Sequence, residues 1–368
     1  MTIYTVWINV RFLGRPLTGV ERVAIEMLRA LSRQVNELGQ FILPNQEIIQ
    51  FKLIAPKSVV IKDLELKIPL EKKGLGSGHL WEQGPLLWET RGDHLISFCN
   101  TGPIFKRQQI IFIHDAQVFA IPGNFHWKFR YWYRVMHYLI SRFSKSVITN
   151  SNFSKHEIVK YLGISPEKIT PVGLGCDHVH SRNSGVDVLT KFGISSKKYI
   201  FAVSSLNPNK NFALLIKALE ILGVDAPLCV VSGQRLDSIF SGTSIDSFNI
   251  QYIGYVSDAD LYALYSNSLC LVYPSFYEGF GLPPVEAMAL GSPVITSNTS
   301  VMPEVCGDAV LYCDPHNPES LAQCIRQIVQ DTVLSNSLIH RGVQRAKLFT
   351  WDQSVDKILN VLQKCLVQ

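Results

Sequence analysis

A chain of 368 residues, 47% hydrophobic and 18% charged, is too long for one hydrophobic core to keep growing and too apolar to be disordered, so two domains of ordinary size are expected. The net charge of +5 permits attraction to anionic ligands or an anionic membrane surface and does not single out nucleic acid. No apolar run reaches the roughly 20 residues of a bilayer span, and the start "MTIYTVWINVRFLGRP" lacks the basic-then-apolar pattern of a signal peptide, so the protein is expected to stay where it is made.

In chain order, "YTVWINV" reads as a strand, "GVERVAIEMLRALSR" as a helix, and "HLISFC" and "QIIFIH" as strands. A long aromatic helix covers "NFHWKFRYWYRVMHYLISRFSK", followed by strand "SVITNS" and helix "FSKHEIVKYLG". Residues 176–196 mix Gly, His and polar residues in the manner of a linker. The alternation then restarts with strand "YIFAVSS", helix "NFALLIKALEIL", strands "PLCVVSG" and "IQYIGYV", helix "DLYALYSN" and strand "LCLVYPS". Strands "PVITSN" and "AVLYC" and helix "PESLAQCIRQIVQD" follow, and "FTWDQSVDKILNVLQKCLVQ" closes the chain as an amphipathic helix. Strands alternating with helices predict parallel sheets with crossover helices, here two doubly wound α/β domains in tandem. The expected division is 1–175, a linker at 176–196, 197–350, and a tail helix at 351–368 crossing back to the first domain. Sheets of this kind bind ligands beyond the carboxyl ends of their strands, which predicts a cleft between the two. Eight cysteines occur without a CxxC pair, and Cys99, Cys229 and Cys270 fall in apolar runs read as buried strands. That usage predicts a reducing, cytoplasmic setting with neither zinc site nor disulfides.

The segment "YEGFGLPPVEAMALG", residues 277–291, carries the most chemistry. It follows a buried strand, and Pro283-Pro284 suits the opening of a helix, where a missing N–H costs nothing. Gly279 and Gly281 let the backbone approach a ligand, and the free amides of the turn form an anion site fit for a diphosphate. Glu278 on the loop and Glu286 in the first helical turn are acceptors for hydroxyl groups. Diphosphate and polyol together describe a nucleotide sugar. The alternative is that Glu286 only complements the helix dipole.

Glu278 and Glu286 form the E-x7-E pattern, and the chain resembles the retaining glycosyltransferases of family 4, with their GT-B architecture of two Rossmann-like domains facing each other. "SNFSKHEIVKYLGISPEKITPVGLGCD", "FAVSSLNPNKNFALLIKALE" and "YIGYVSDADLYALYSNSLCLVYPS" match further segments in order, so the resemblance spans nearly the whole chain. It implies that Lys210 pairs with the donor diphosphate, that Glu286 bonds the ribose, and that Glu278 with the amides of Gly279, Phe280, Gly281 and Leu282 holds the sugar and phosphate. It implies base reading by the backbone at Tyr255 and Val256, a phosphate-covering loop at Gly19, and an active-site histidine at His114. Ser205 stands where many members have Arg, so part of the phosphate charge is expected to be met by Lys210, by backbone amides, or by a further residue that the resemblance does not identify. "CNTGP", Asn100 to Pro103, is a further loop expected to face the ligand.

The implied reaction is retaining hexosyl transfer from a nucleoside diphosphate sugar, UDP-glucose first and GDP-mannose second, to a glycan or lipid-linked acceptor in surface polysaccharide synthesis. Lys210 and the helix amides stand in for a metal, so no divalent ion or other cofactor is expected. "SDADL" reads as a helix cap on Ser257 rather than a DxD metal motif. Competing readings are a glycoside hydrolase or phosphorylase, which also uses paired carboxylates, and a non-catalytic sugar-nucleotide sensor or scaffold. The helix at 126–145 holds five Lys and Arg among its aromatics, which permits peripheral contact with an anionic membrane at the inner face of the plasma membrane. Core packing is expected to account for most of those aromatics.

Overall fold

Parallel strands dominate both halves of the chain in the computed structural model, which describes residues 2–61, 64–181, 188–204, 207–233 and 249–367. The chain divides into two units, Met1–Gly175 with Trp351–Gln368, and Cys176–Thr350.

The first unit holds β1 (Ile3–Asn9), β2 (Gln40–Ile42), β3 (Ile48–Ala55), β4 (Leu70–Lys72), β5 (His94–Ser97), β6 (Gln109–Phe112), β7 (Ser146–Thr149) and β8 (Ile169–Pro171). Their order is β2-β3-β1-β5-β6-β7-β8, with β4 also on β3. Among the described residues only β2 runs antiparallel to its neighbour. β6 and β7 are buried at every residue, which is why they read as unbroken apolar runs rather than alternating ones. Strands β2, β3 and β4 have no counterpart in the sequence reading. The helix Gly19–Gln34 buries Val23, Ala24, Met27, Leu28 and Leu31 along one stripe. The last helix, Trp351–Val367, packs beside it: Arg33 reaches Asp352 at 2.6 Å and Gln34 reaches Asp356 at 3.0 Å.

The described residues of the second unit form a six-stranded parallel sheet of β9 (Tyr199–Ser204), β10 (Leu228–Gly233), β11 (Ile250–Gly254), β12 (Cys270–Tyr273), β13 (Val294–Ser297) and β14 (Leu311–Cys313). The order β11-β10-β9-β12-β13-β14 turns back on itself between β9 and β12, so their crossover connections leave toward opposite faces. Ile200, Leu215, Leu219, Val231, Ile295 and Ile325 are part of one buried core cluster between this sheet and the helices Phe212–Leu222 and Pro318–Gln330. The stretch read as a linker is packed where it is described: Cys176, His178, Val179 and Val188 are buried, and Cys176 N–H donates to Phe349 O at 3.0 Å. The described cysteines are all unpaired; Cys229 and Cys270 lie in buried strands, whereas Cys99 is half-buried, two residues past β5.

Candidate functional site

At the carboxyl ends of β9 and β12, the point where strand order reverses, an open parallel sheet offers its ligand crevice. Three polar side chains meet there. Lys210 Nζ lies 2.7 Å from Glu278 Oε1 and also donates to the Tyr273 hydroxyl, which itself donates to the same Glu278 oxygen at 3.0 Å. Tyr273 ends β12 and Lys210 ends the short turn Pro208–Lys210, so the triangle joins the two strand ends. Asn209 donates to Tyr277 O, Phe276 N–H donates to Asn209 O at 2.9 Å, and Ser300 Oγ accepts from the Glu278 N–H at 3.2 Å. Asn211, in the left-handed region at φ 54°, bonds Pro274 O and Pro315 O at 3.1 and 2.8 Å. The loop before the glycine turn is therefore clamped from the β9 side.

Burial disfavours the Lys210 ammonium, but the charge of Glu278 and the Tyr273 hydroxyl outweigh it and raise its pKa, so the cation persists at neutral pH. Burial and the same carboxylate push the Tyr273 hydroxyl up and keep it protonated. The result is a fixed positive charge beside an acceptor carboxylate whose Oε1 is already engaged.

The helix Leu282–Ala289 begins directly after this turn, with Gly281 as its N-cap at φ 85° and prolines in its first turn. A Cβ at Gly281 would lie 2.4 Å from Met302 Cε, so packing as well as backbone conformation demands glycine. Gly279 is absent from the positive-φ glycines. Glu286 is not in the first turn: it is the fifth helical residue, and no acid lies in that turn. The prolines fill the opening positions and push the carboxylate inward along the helix. Glu286 is buried, with Oε1 3.1 Å from Nε2 of the buried His178. Dipole complementation does not explain a carboxylate placed one turn in and paired with an imidazole.

Tyr255 and Val256 follow β11 at its carboxyl end, Tyr255 being 80% exposed. Ser257 Oγ accepts from Asp260 N–H at 3.2 Å, so "SDADL" is a helix cap. Ser205 lies outside the described residues.

Residues 190–345, which contain Lys210, Glu278 and Glu286, match the family described as glycosyl transferases group 1. The chain carries a group 1 glycosyltransferase domain. It is 28% identical to the O-antigen chain mannosyltransferase B of Escherichia coli, over 94% of this chain and 96% of that one. It is 27% identical to the O-antigen chain mannosyltransferase RfbU of Salmonella typhimurium, over 88% of this chain and 90% of that one. The sucrose-phosphate synthase structure from Thermosynechococcus elongatus superimposes with a TM-score of 0.76 at 14% identity, covering 99% of each chain, a likeness of fold alone. The fold is GT-B. The relatives support the mannosyl alternative over the UDP-glucose donor first expected.

The first unit gathers polar groups at the carboxyl ends of its own strands. Gly19 opens the helix Gly19–Gln34 with nothing within 4 Å of a would-be Cβ, and Thr18 before it donates to Glu21. His114, two residues past β6, is buried: its Nε2 is 2.7 Å from Phe98 O and its ring stacks on Phe112 at 4.2 Å. Burial drives its pKa down to about 4, against which the Phe98 carbonyl and the Asn150 side chain pull only partway. His114 is thus a neutral imidazole whose Nε2 hydrogen is held by a carbonyl, a poor arrangement for a proton shuttle. Asn100, at φ 61°, accepts the His114 N–H at 2.8 Å, so "CNTGP" and His114 form one structural piece.

Sequence reasoning missed three features. Tyr273 sat inside an apolar strand and His178 inside an apparent linker. The third is a buried pair: Glu82 takes bonds from Asn9 Nδ2 at 3.1 Å, Arg11 Nε at 3.1 Å and Thr101 Oγ1 at 3.0 Å, with His79 Nδ1 3.0 Å away. Glu82 opens a π-helical stretch, Glu82–Leu86, between two short α-helical pieces, a distortion frequent at functional sites. Its pKa is held down: burial opposes ionisation, but His79 and Arg11 overcome it. Asn9 at the end of "WIN" was the readable signal, a polar residue closing an apolar strand.

Proposed function

We propose that the protein transfers mannose from GDP-mannose to a hydroxyl of a glycan or lipid-linked acceptor in O-antigen synthesis, with retention of anomeric configuration, as a family 4 enzyme. The observation that carries the reading is the Lys210–Glu278–Tyr273 triangle at the sheet's reversal point, in a chain similar over nearly its full length to O-antigen mannosyltransferases. Lys210 and the amides leading into the helix Leu282–Ala289 receive the diphosphate, Glu278 the sugar hydroxyls, and Glu286 the ribose. As the C1–O bond to the phosphate breaks, its electron pair moves onto the leaving oxygen. Fixed positive groups there stabilise the transition state more than the ground state and take the place of a divalent ion.

The acceptor oxygen attacks from the face the phosphate leaves, and its proton passes to a phosphate oxygen. Front-face attack is favoured over double displacement because Glu278 is engaged by Lys210 and Tyr273 through the same oxygen and is poorly suited as a nucleophile. A covalent mannosyl adduct trapped on Glu278 would overturn that choice. The enzyme works in the cytoplasm, peripherally at the membrane face where a lipid-linked acceptor is presented.

A melting-temperature panel of GDP, UDP, GDP-mannose and UDP-glucose tests the donor, since a ligand that prefers the native state stabilises it. GDP-mannose is expected to give the largest rise and to support turnover in EDTA. Lys210→Met is expected to lower kcat by about 100-fold or more. Stabilisation and turnover with UDP-glucose and none with GDP-mannose would sink the mannosyl reading.

A further inference from the structure

The helix Trp127–Phe143 departs from the expectation of core packing. Its buried residues are Met136, His137, Ile140 and Ser141 alone. Trp127 is 61% and Tyr131 71% exposed, and Phe129, Trp132, Val135, Tyr138 and Phe143 are exposed as well. Lys128, Tyr131, Trp132, Val135, Tyr138 and Arg142 recur at spacings of three and four and line one outward stripe, and the exposed Lys145 follows just past the helix end. The centre of the stripe is aromatic and its two ends are cationic. The Arg142 guanidinium lies 3.4 Å over the Tyr138 ring and donates to Tyr138 O at 3.1 Å, so a cation is held flat on the aromatic stripe.

The patch extends beyond the helix. Phe105, 64% exposed, meets Phe143 edge-on at 5.1 Å, and the exposed Arg107 follows it. On the other flank Trp132 packs on His79 at 5.5 Å, next to the exposed Leu80. No Asp or Glu occurs between Asp115 and Glu157, a segment with Lys128, Arg130, Arg134, Arg142, Lys145 and Lys155. Arg134 is tied to Val118 O and Phe119 O and serves the fold. The exposed Lys128, Arg142 and Lys145 are the ones presented outward.

We infer that this face, the Tyr131–Trp132–Tyr138 stripe with Lys128, Arg142, Lys145 and the Phe105–Arg107 loop, docks the protein on an anionic lipid bilayer, the helix lying in the interfacial plane. Trp and Tyr favour the boundary between headgroups and acyl chains, and a basic amphipathic helix binds there through apolar burial plus attraction to anionic lipid. Among the described residues no helix is long and apolar enough to cross a membrane, so the contact is peripheral. A second copy of the chain fits poorly, because a two-fold contact would set these cations against their own kind. The inference rests on the lipid-linked acceptor of the proposed function and identifies the surface that brings the enzyme to it.

The test is co-sedimentation of the full chain with phosphatidylcholine vesicles, with and without phosphatidylglycerol, compared with two variants. One is Lys128→Glu/Arg142→Glu/Lys145→Glu; the other is Tyr131→Ser/Trp132→Ser/Tyr138→Ser. The wild type is expected on phosphatidylglycerol vesicles and to be released by salt that shortens the Debye length to a few Å. The charge variant is expected to lose about 100-fold in partitioning, and the aromatic variant to lose the quenching of tryptophan emission by brominated lipid. Equal binding to both vesicle types, no binding, or a dimer that the aromatic variant converts to monomer overturns the docking face. Turnover with a water-soluble acceptor is read on the same samples. Unchanged turnover with lost vesicle binding supports the face. Vesicle binding with no turnover by the wild type defeats the transferase reading and leaves the docking face standing.

Discussion

Glu286 and His178 are both buried, and 108 positions of chain separate the partners of their 3.1 Å contact. Replacing His178 by Phe leaves the carboxylate without this partner, at a cost of about 1–3 kcal/mol in stability. If Glu286 binds the ribose, His178→Phe raises KM for the donor roughly tenfold and leaves kcat within a few-fold, since a uniformly used binding contact is lost. His178→Gln, which keeps a donor, restores most of the affinity. A collapse of kcat at constant KM would show that His178 does not act by positioning Glu286. Gly281→Ala is expected to cost about 1–2 kcal/mol from its left-handed backbone alone, measured as a fall in denaturation midpoint. The two glutamates, the lysine and the glycine turn were legible because their chemistry is local: strand end, turn, helix start. His178 and Tyr273 were not, because a histidine in a polar stretch and a tyrosine in an apolar strand show their role only when distant segments pack.

Among the elements, the unbroken apolar strands were readable and the amphipathic one was not. β3 alternates half-buried and buried residues from Ile48 to Leu53, where Gln50 and Lys52 interrupt the apolar run. A search for fully buried strands passes over it. The aromatic helix shows the opposite error: its composition reads as core, yet the buried stripe is narrow and the rings face outward. Composition counts rings and cannot tell which side of the helix has a partner. The last helix was legible through its amphipathic pattern, and its first residue, Trp351, is 1% exposed. Trp351→Ala is expected to remove about 3–5 kcal/mol. In calorimetry the loss should fall on the transition of the unit holding Gly19–Gln34, with the other unit's transition unmoved; a shift shared equally by both would contradict that assignment.

Over the whole molecule, two buried histidines contribute most directly to the response to acid, and burial lowers His94 in the same direction. Burial lowers both His114 and His137 from 6.5 to about 4, and for His137 the neighbouring His114 adds to the effect. Between those values the unfolded chain binds more protons than the folded one. Their stabilisation is therefore complete above pH 6.5 and falls away as pH drops toward 4. Each histidine should cost about 2 kcal/mol of stability by pH 5. Denaturant melts at pH 7 and pH 5 should show this loss in the parent and about half of it in His137→Phe; identical acid sensitivity in the two would refute the assignment.

The chain leaves the first unit at Gly175 and returns to it at Trp351, so the second unit interrupts the first in sequence. As the polypeptide emerges from the ribosome, residues 176–350 are all available before the helix that covers Gly19–Gln34 exists. Domains ordinarily fold in order of synthesis, amino-terminal first. Here the later unit can reach its native state while the earlier one still lacks a wall of its core. The first unit must wait, incompletely covered, until translation reaches the final helix. The Arg33–Asp352 and Gln34–Asp356 contacts thus join the early and late products of one act of synthesis.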